Sequence, residues 1–331
     1  MTSPTMSVVI CAYTSERWAQ IREAVRSVLE QDPAPHEVLL VVDHCESLLS
    51  LAQETFAATE VRVTPNVNTK GLSGARNTGT AAATGDVIVF LDDDAVAQPG
   101  WLAGHARHYE DPSVIGVGGQ VLPAWEDAPP QWFPPEFGWV VGCSYVGQPT
   151  TTAPVRNPIG ANMSFRRSVI EAVGGFTTSL GRVGTSPEGC EETEFSIRAA
   201  AAFSNGTILH EPRASVRHHV PAQRGTWTYF RRRCWAEGRS KARMSRLVSA
   251  SSALASETAY VRKTLPDGVR RNLLAAGRCR DLALLGRATA ICAGFIITSA
   301  GFTSGRLTDQ APRWPNRSIT NTTNTTVRTT V

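Results

Sequence analysis

Three consecutive aspartates, Asp92, Asp93 and Asp94, follow the apolar segment 86–91 (DVIVFL). Adjacent carboxylates repel one another, and burying them without partners costs free energy. A divalent cation would relieve this repulsion, and Mg²⁺ or Mn²⁺ prefers carboxylate and phosphate oxygens. Because Mg²⁺ usually takes only one or two protein carboxylates, a nucleotide diphosphate would complete its coordination. The alternative interpretation is a solvated acidic turn before Pro99.

A glycine-rich segment, 68–79 (NTKGLSGARNTG), runs into a predicted helix upstream of the aspartates. Backbone N–H groups at such a helix start can meet an anion. The segment lacks the Gly-Lys-Ser/Thr of a Walker A loop and the GxGxxG spacing of dinucleotide-binding proteins. Arg76 and Asn77 are its polar residues on a face of otherwise small side chains. In isolation they would equally fit an ordinary helix N-terminus with a surface arginine.

A second acidic cluster, Glu191, Glu192 and Glu194, begins a predicted helix within the sequence CEETEF. The helix dipole stabilises the ionised form of carboxylates in a first turn. An ionised carboxylate can take the proton of a reacting hydroxyl group. Ordinary charge pairing at a helix N-terminus would give the same pattern.

The first 120 residues alternate strand-like and helix-like segments. Nearly all-apolar strands that alternate with helices indicate a parallel sheet covered on both faces. Ligands of such sheets bind beyond the carboxyl ends of the strands, where the three aspartates stand. The predicted strands are 7–12, 37–42, 61–64 and 86–91, and the predicted helices are 18–31, 47–58 and one that ends at Ala83.

Composition places the chain among globular proteins. Hydrophobic residues make up 42% of the 331 residues and charged residues 19%, which excludes disorder of the whole chain. A net charge of +4 is too small to indicate a nucleic acid partner, and we expect none. The seven cysteines show no metal-ligand spacing and residues 1–5 carry no signal-peptide charge, so we expect reduced thiols in a cytoplasmic protein.

Downstream segments break this alternation. Residues 121–158 are rich in proline and hold three tryptophans, which predicts a long ordered loop or lid, or a loop that only packs its rings on the core. Residues 226–247 hold seven Lys/Arg among aromatic residues, and 282–302 is apolar, so we expect contact with an anionic bilayer surface. The alternative is a helical subdomain with a solvated basic face. The Thr/Asn-rich tail from Thr308 is predicted to be disordered.

The order of these motifs resembles glycosyltransferase family 2, the inverting enzymes of the GT-A fold. The resemblance runs from VVICAYTSER, EVLLVVD, NTKGLSGARNTG and DVIVFLDDDA to GANMSFRRSVIEAVGGF, CEETEFSIRA and VRHHV, and it covers about residues 6–245. The segments PPEFGWVVG and RNPIGANMSF are most similar to a prokaryotic subgroup, the glucosyl-dolichyl-phosphate glucuronosyltransferases.

The resemblance implies an α/β protein with a Rossmann-like, mostly parallel sheet and a C-terminal helical extension. The implied units are a catalytic domain at 1–225, a basic helical extension at 226–307 and a tail at 308–331. Within the catalytic domain, residues 1–120 would bind the nucleotide, 121–158 would form the lid, and 159–225 would bind the acceptor.

Position by position, the resemblance implies a nucleotide-sugar site and a metal site. Asp43 would accept a hydrogen bond from the base, while Asp92 would face the ribose and Asp94 the metal, which is Mn²⁺ or Mg²⁺. His218 matches a histidine of the metal shell, and His219 is the alternative. The full nucleotide-sugar set is Ala12, Tyr13, Glu16, Asp43, Arg76, Asn77, Asp92, Asp93, Gly160 and Asn162.

The resemblance also implies the catalytic residues. Glu192 aligns with the base, Glu191 with the acidic residue before it, and Arg198 with an arginine near the leaving diphosphate. The base is a glutamate where the family more often has aspartate, which keeps the carboxylate. Because a lipid phosphate is already ionised, the intact acidic motif favours a hydroxyl acceptor.

The sequence therefore predicts a metal-dependent, inverting glycosyltransferase with a nucleotide-diphosphate sugar as donor, UDP-linked by preference. Its expected acceptor is a lipid-linked or cell-envelope glycan at the inner face of the cell membrane. One alternative is a glycosyltransferase on a soluble acceptor, such as a secondary metabolite or an exopolysaccharide unit. Another is a non-catalytic nucleotide-sugar-binding subunit, against which the combination of Asp92, Asp94, Glu192 and His218 argues.

Overall fold

The computed structural model describes residues 4–182, 189–247 and 258–308. The first half of the chain forms four parallel strands in the spatial order β3-β2-β1-β4, connected by helices. The expected alternation of strands and helices in this half is confirmed. The strands are β1 (Met6–Ala12), β2 (Glu37–Val42), β3 (Val61–Pro65) and β4 (Val87–Asp92), and the helices are α1 (Trp18–Leu29), α2 (Glu46–Phe56) and α3 (Leu72–Ala82).

Helices cover both faces of this parallel sheet. Successive side chains of a strand point to opposite faces. Val8 and Ile10 of β1 therefore pack into the cluster that holds residues of α1 and α2, whereas Val9 packs into the cluster that holds Ala75 of α3. All three β1 side chains are fully buried. Burial on both faces explains why these strands are apolar at nearly every position.

The second half of the chain extends the sheet to nine strands and makes it mixed. Strand β8 lies antiparallel between β4 and β6, β6 and β9 are parallel to each other, and β5 and β7 are antiparallel to β9. The elements are β5 (Ala95–Ala97), α4 (Trp101–Ala106), β6 (Val114–Trp125), β7 (Ala153–Pro154), β8 (Asn162–Arg166), α5 (Arg167–Val173), α6 (Glu191–Ala202) and β9 (Thr207–Val220).

The proline-rich segment after residue 121 is ordered, but it begins as a strand. Strand β6 continues to Trp125, and a 3-10 helix follows at Pro135–Val141. Its aromatic rings pack on the core: Phe133 and Phe137 are buried, and their centroids lie 5.9 and 5.3 Å from the Phe230 ring. The aromatic residues of this segment thus attach it to the C-terminal helices.

Three long helices form the C-terminal extension: α7 (Trp227–Leu247), α8 (Leu265–Cys279) and α9 (Leu282–Thr308). Helix α9 includes the apolar segment 282–302, and it packs along α7 at glycines. A Cβ atom added at Gly238 would lie 2.1 Å from the Thr298 carbonyl oxygen, and one added at Gly301 would lie 2.4 Å from that of Trp235. Beyond Thr308, the tail predicted to be disordered lies outside the described residues.

Candidate active site

The candidate site lies beyond the carboxyl ends of β1, β2 and β4, as expected for a parallel sheet. Ala12, Asp43 and Asp92 stand at or just after those strand ends. A small pocket of about 70 Å³ there is lined by Cys11, Ala12, Tyr13, Arg17, Asp43, Leu72, Ala75, Asp92, Asp93, Asp94, Arg182 and His218. Much of the predicted nucleotide set therefore shares one pocket.

Asp43 is buried and braces the loop that leads into α3. One carboxylate oxygen accepts from the Asn66 side-chain amide at 2.6 Å and lies 2.9 Å from His44 Nδ1. The other oxygen accepts from the Gly71 backbone N–H at 2.9 Å. Asn66 is a positioning residue that sequence reasoning missed, since nothing in its spacing from Asp43 marks the contact.

The aspartate triplet is held by two arginines that sequence reasoning also missed. Arg17 Nη1 lies 3.0 Å from Asp93 Oδ1 and 3.1 Å from Asp94 Oδ2. Arg224 Nη2 lies 3.8 Å from the same Asp94 oxygen. Both carboxylates are buried, so these cations offset charge that water does not reach. Arg17 lies in the segment CAYTSER just after the first strand, and this position was the sequence signal that could have placed it at the site.

Asp94 and His218 form a buried charged pair, with Asp94 Oδ1 3.1 Å from His218 Nε2. Burial alone would raise the pKa of Asp94, but His218 and Arg17 hold that pKa below its usual range. Burial alone would lower the pKa of His218, but the Asp94 carboxylate raises it to about 10. Burial, and then the Asp94 charge, raise the pKa of Asp93.

Asp92, Asp94 and His218 are placed to share a cation. Each offers one ligand atom, and these atoms all lie within 4.8 Å of one another. Two carboxylate oxygens and one imidazole nitrogen suit Mn²⁺ or Mg²⁺ with phosphate oxygens in the remaining positions. Strand alternation points the His218 ring at Asp94, whereas His219 contributes its backbone N–H to the Asp94 carbonyl at 2.8 Å. The residues present therefore fit a divalent cation.

Arg76 links the aspartate triplet to the second acidic cluster. Its side chain is almost fully buried, with Nη1 3.0 Å from Glu191 Oε1 and Nη2 3.5 Å from Asp92 Oδ1. Nη2 also donates to the Gly160 carbonyl at 3.0 Å. The glycine-rich segment thus contributes its arginine as a bridge between α6 and the end of β4.

A larger pocket of about 710 Å³ adjoins the first and contains Glu192. Its wall includes Asp92, Gly160, Glu191 and His218, so two of the three candidate cation ligands share one space with the candidate base. Burial, and then the Glu191 charge, raise the pKa of Glu192 to about 8. A carboxylate with a raised pKa is a stronger proton acceptor when it is ionised.

Four predicted site residues do not line either pocket. Glu16 is exposed on a 3-10 turn. Asn162 is fully buried, where its side chain accepts from Trp101 Nε1 at 2.8 Å and donates to two backbone carbonyls. The structure therefore gives Asn162 a place behind the pocket, bracing β8 against its neighbours.

Asn77 and Arg198, the other two, both hold the turn after α5. The Asn77 amide donates to the Phe176 carbonyl at 2.8 Å and accepts from the Phe176 N–H at 2.8 Å. Arg198 donates to the carbonyls of Val173 and Gly175 and pairs with Glu194 at 2.6 Å. With its guanidinium used in this way, Arg198 does not reach the space beside the candidate cation ligands.

Comparisons with known proteins give consistent matches. Residues 7–174 match the model of the family described as Glycosyl transferase family 2. The chain is 35% identical over 249 residues to a glucosyl-dolichyl phosphate glucuronosyltransferase of Haloferax volcanii, covering 75% of this chain and 79% of that protein.

Two solved structures share the fold. The mannosyltransferase PcManGT of Pyrobaculum calidifontis, in complex with GDP-Man and Mn²⁺, superposes with a TM-score of 0.58 at 19% identity, over 92% of this chain and 88% of that one. GalNAc-T7 with UDP, GalNAc and Mn²⁺ gives a TM-score of 0.52 at 16% identity, over 81% of this chain and 58% of that one.

Proposed function

This chain belongs to glycosyl transferase family 2, and we propose that it moves a sugar, with inversion, from a nucleotide diphosphate to a hydroxyl of a lipid-linked or cell-envelope glycan. One observation carries the proposal: two candidate cation ligands, Asp92 and His218, and the half-buried Glu192 carboxylate line the same 710 Å³ pocket. A non-catalytic sugar-nucleotide-binding subunit would have no need for the carboxylate.

In this proposal the nucleoside end of the donor enters the small pocket. Its base lies over Ala12 and Tyr13, where Asp43 is placed to accept from an imide N–H, which favours UDP. The two solved structures with this fold hold GDP-Man or UDP, each with Mn²⁺, which supports a sugar nucleotide as the ligand class. Arg76 then faces the donor from the side of Gly160.

Asp92, Asp94 and His218 would hold Mn²⁺ or Mg²⁺ beside the donor's diphosphate. Such a cation, when bound, offsets the negative charge that develops on the departing diphosphate. Arg17 occupies one Asp94 oxygen and leaves the other, Oδ1, facing His218 and the candidate cation position.

Glu192 serves as the base. The acceptor oxygen attacks the anomeric carbon from the side opposite the diphosphate. The bond between that carbon and the diphosphate oxygen breaks, and its electron pair leaves with the diphosphate. The acceptor proton passes to Glu192. The Haloferax volcanii relative is named for a glucosyl-dolichyl phosphate acceptor, which supports a sugar hydroxyl already attached to a lipid phosphate.

Exposed apolar residues on the C-terminal helices indicate the surface that contacts the membrane in which that lipid lies. Leu282, Leu285, Cys292 and Ile296 recur at helical spacing along α9 and are all exposed; we call them the apolar stripe. Exposed arginines 278 and 280 precede the stripe, and Arg231 and Arg232 are exposed on α7. Apolar residues flanked by cations suit an anionic bilayer surface, which we place at the inner face of the cell membrane.

The variant Glu192→Gln tests the proposal. Glu192→Gln removes the base but keeps the side-chain volume, so transfer should fall about 10²–10⁴-fold while donor binding is retained. The measurement is product formation from a UDP-sugar and glucosyl phytanyl phosphate with Mn²⁺. Glu171→Gln on the exposed face of α5 is the matched control and should keep full activity. Normal turnover in Glu192→Gln would remove Glu192 as the base.

A further inference from the structure

Helix α7 places a buried arginine, Arg233, in the wall of the larger pocket. The residue is 8% exposed, and its guanidinium lies over the Trp139 ring, 5.7 Å from the centroid. Nη1 forms an ion pair with Glu237 Oε2 at 2.9 Å. Nε has no hydrogen-bond partner among the residues that the structure describes. Arg233 thus lines the pocket and has one buried donor that is unsatisfied.

A buried donor without a partner costs free energy, and an anion that pairs with the guanidinium would lower that cost once the side chain turns Nε towards it. The planar guanidinium matches two phosphate oxygens at once. Lys241 also lines the pocket, and its Nζ lies 3.5 Å from Glu237 Oε1. Two cations therefore stand around the Glu237 carboxylate in this part of the pocket.

The charged group lies between the candidate base and an apolar wall. Glu237 accepts from Cys190 Sγ at 3.8 Å, and Cys190 directly precedes the helix that carries Glu192. On the other side, Phe295 and Phe302 of α9 line the same pocket. The pocket thus offers a proton acceptor, a cation pair and an apolar surface in one continuous space.

We propose that Arg233, with Lys241, binds the phosphate of a glycosyl phosphate lipid. The acceptor sugar lies towards Glu192, and the hydrocarbon chain leaves along Phe295 and Phe302. This inference rests on the proposed function, because it takes the acceptor hydroxyl to be the group that Glu192 deprotonates. It adds a phosphate subsite that distinguishes lipid-phosphate acceptors from neutral glycans.

The donor's diphosphate is the competing ligand for Arg233. The described residues that line the nucleotide pocket include Arg17 and Arg182 but not Arg233. Two candidate cation ligands, Asp92 and His218, line both pockets, and the third, Asp94, lines the nucleotide pocket, which puts the diphosphate where the two spaces meet. Arg233 instead shares its surroundings with α9, which favours the lipid-linked ligand.

The test is equilibrium binding of phytanyl phosphate to the full chain in neutral detergent, with phytanol as the uncharged probe. Wild type should prefer the phosphate at least about tenfold, and Arg233→Gln should lose that preference. The exposed Arg232→Gln on the same helix should keep it. An unchanged preference in Arg233→Gln would overturn the proposal. Inorganic phosphate that displaces the lipid at equal concentration would also overturn it, since the pocket would then take free phosphate.

A wild-type measurement covers the case in which Arg233→Gln does not fold. Transfer onto glucosyl phytanyl phosphate should have a kcat/KM at least about tenfold above that onto neutral phytanyl glucoside, and equal values would overturn the subsite. If neither acceptor is glycosylated but the protein still prefers phytanyl phosphate to phytanol in the binding assay, the proposed function is wrong and the phosphate subsite is supported. Weakened UDP binding in Arg233→Gln with lipid binding unchanged would assign Arg233 to the donor and overturn the proposal.

Discussion

At the scale of single residues, nearby cationic side chains already offset the negative charge of Asp94 before any ligand binds. His218 lies 3.1 Å from the Asp94 Oδ1 atom, and Arg17 and Arg224 lie 3.1 and 3.8 Å from the Asp94 Oδ2 atom. A divalent cation must therefore compete with these groups, and the donor's diphosphate supplies the further negative charge that favours it. We expect metal and sugar nucleotide to bind together more tightly than either binds alone.

As the proposed base, Glu192 should give the transfer reaction a pH dependence. Burial, and then the Glu191 charge, raise the pKa of Glu192 to about 8, and a base acts in its ionised form. The transfer rate should therefore rise with pH, about tenfold per unit below that pKa, and level off above it. The measurement is kcat at saturating donor and acceptor from about pH 6 to about pH 10. A rate that is flat or falls over this range would contradict the assignment, and Glu171→Gln should follow the wild-type profile.

The residue types of the site were predictable, but several of their partners were not. Acidic residues after a buried strand and at a helix start are visible in sequence, and so are the histidines of VRHHV. Arg17, Arg224 and Arg233 come from a turn, a 3-10 helix and a basic helix, and only the fold shows which arginines turn inward. Arg198 shows the converse, because its guanidinium is taken by backbone carbonyls that the sequence does not reveal.

Among the elements, α7 and α9 depend on close backbone contact. Gly294 faces Phe230, Gly238 faces Thr298 to Phe302, and Gly305 faces Ala242, so the two helices run in the same direction. A side chain at these glycines would push the helices apart. Because α7 carries Arg233 and α9 carries the apolar wall, the width of the larger pocket follows from this packing.

Alanine at position 238 tests the helix contact. A Cβ there would lie 2.1 Å from a backbone oxygen, so Gly238→Ala should destabilise the protein by about 1–3 kcal/mol. The matched control is Gly277→Ala in α8, where nothing lies within 4 Å of the added atom. That change should be neutral or stabilising by up to ~1 kcal/mol. Urea unfolding midpoints compare the two, and equal midpoints would contradict the proposed contact.

Among the strands, the sequence predicted the parallel half of the sheet but not the mixed half. The first four strands are apolar throughout because both faces are buried, and that pattern is easy to recognise. Strands β6 and β9 contain glycine, proline, arginine and histidine, so they lack a strand-like pattern. Gly118 and Gly119 are needed there because Pro158 and the Ala214 carbonyl lie against the backbone.

For the whole molecule, we propose that the apolar stripe of α9 sets the orientation on a membrane. Helix α9 is long and apolar enough to span a bilayer, yet one face packs on α7, which holds seven Lys/Arg. Placing that basic helix in hydrocarbon would be costly. We therefore expect α9 to lie against the bilayer surface, with the larger pocket close to the lipid.

Replacing two residues of the apolar stripe by aspartate should release the protein from membranes. Leu285→Asp with Ile296→Asp removes two exposed apolar side chains, each worth about 1–3 kcal/mol when buried in lipid, and adds charge that anionic lipid repels. Binding to phosphatidylglycerol vesicles, measured by flotation, should fall at least about tenfold. Val67→Asp, an exposed apolar residue far along the chain from α9, is the control and should float like wild type. Equal flotation of the double variant would show that the stripe does not contact lipid.

Thermal unfolding with sugar nucleotides, with and without Mn²⁺, tests the central claim most directly. A donor at about 100 times its Kd should add about 2.7 kcal/mol of stability, and the shift in Tm should require Mn²⁺. Asp94→Ala should lose the Mn²⁺-dependent shift because it removes a candidate cation ligand, whereas the exposed Asp127→Ala should retain it. Donor binding that is equal in Asp94→Ala and wild type, with and without Mn²⁺, would contradict the account.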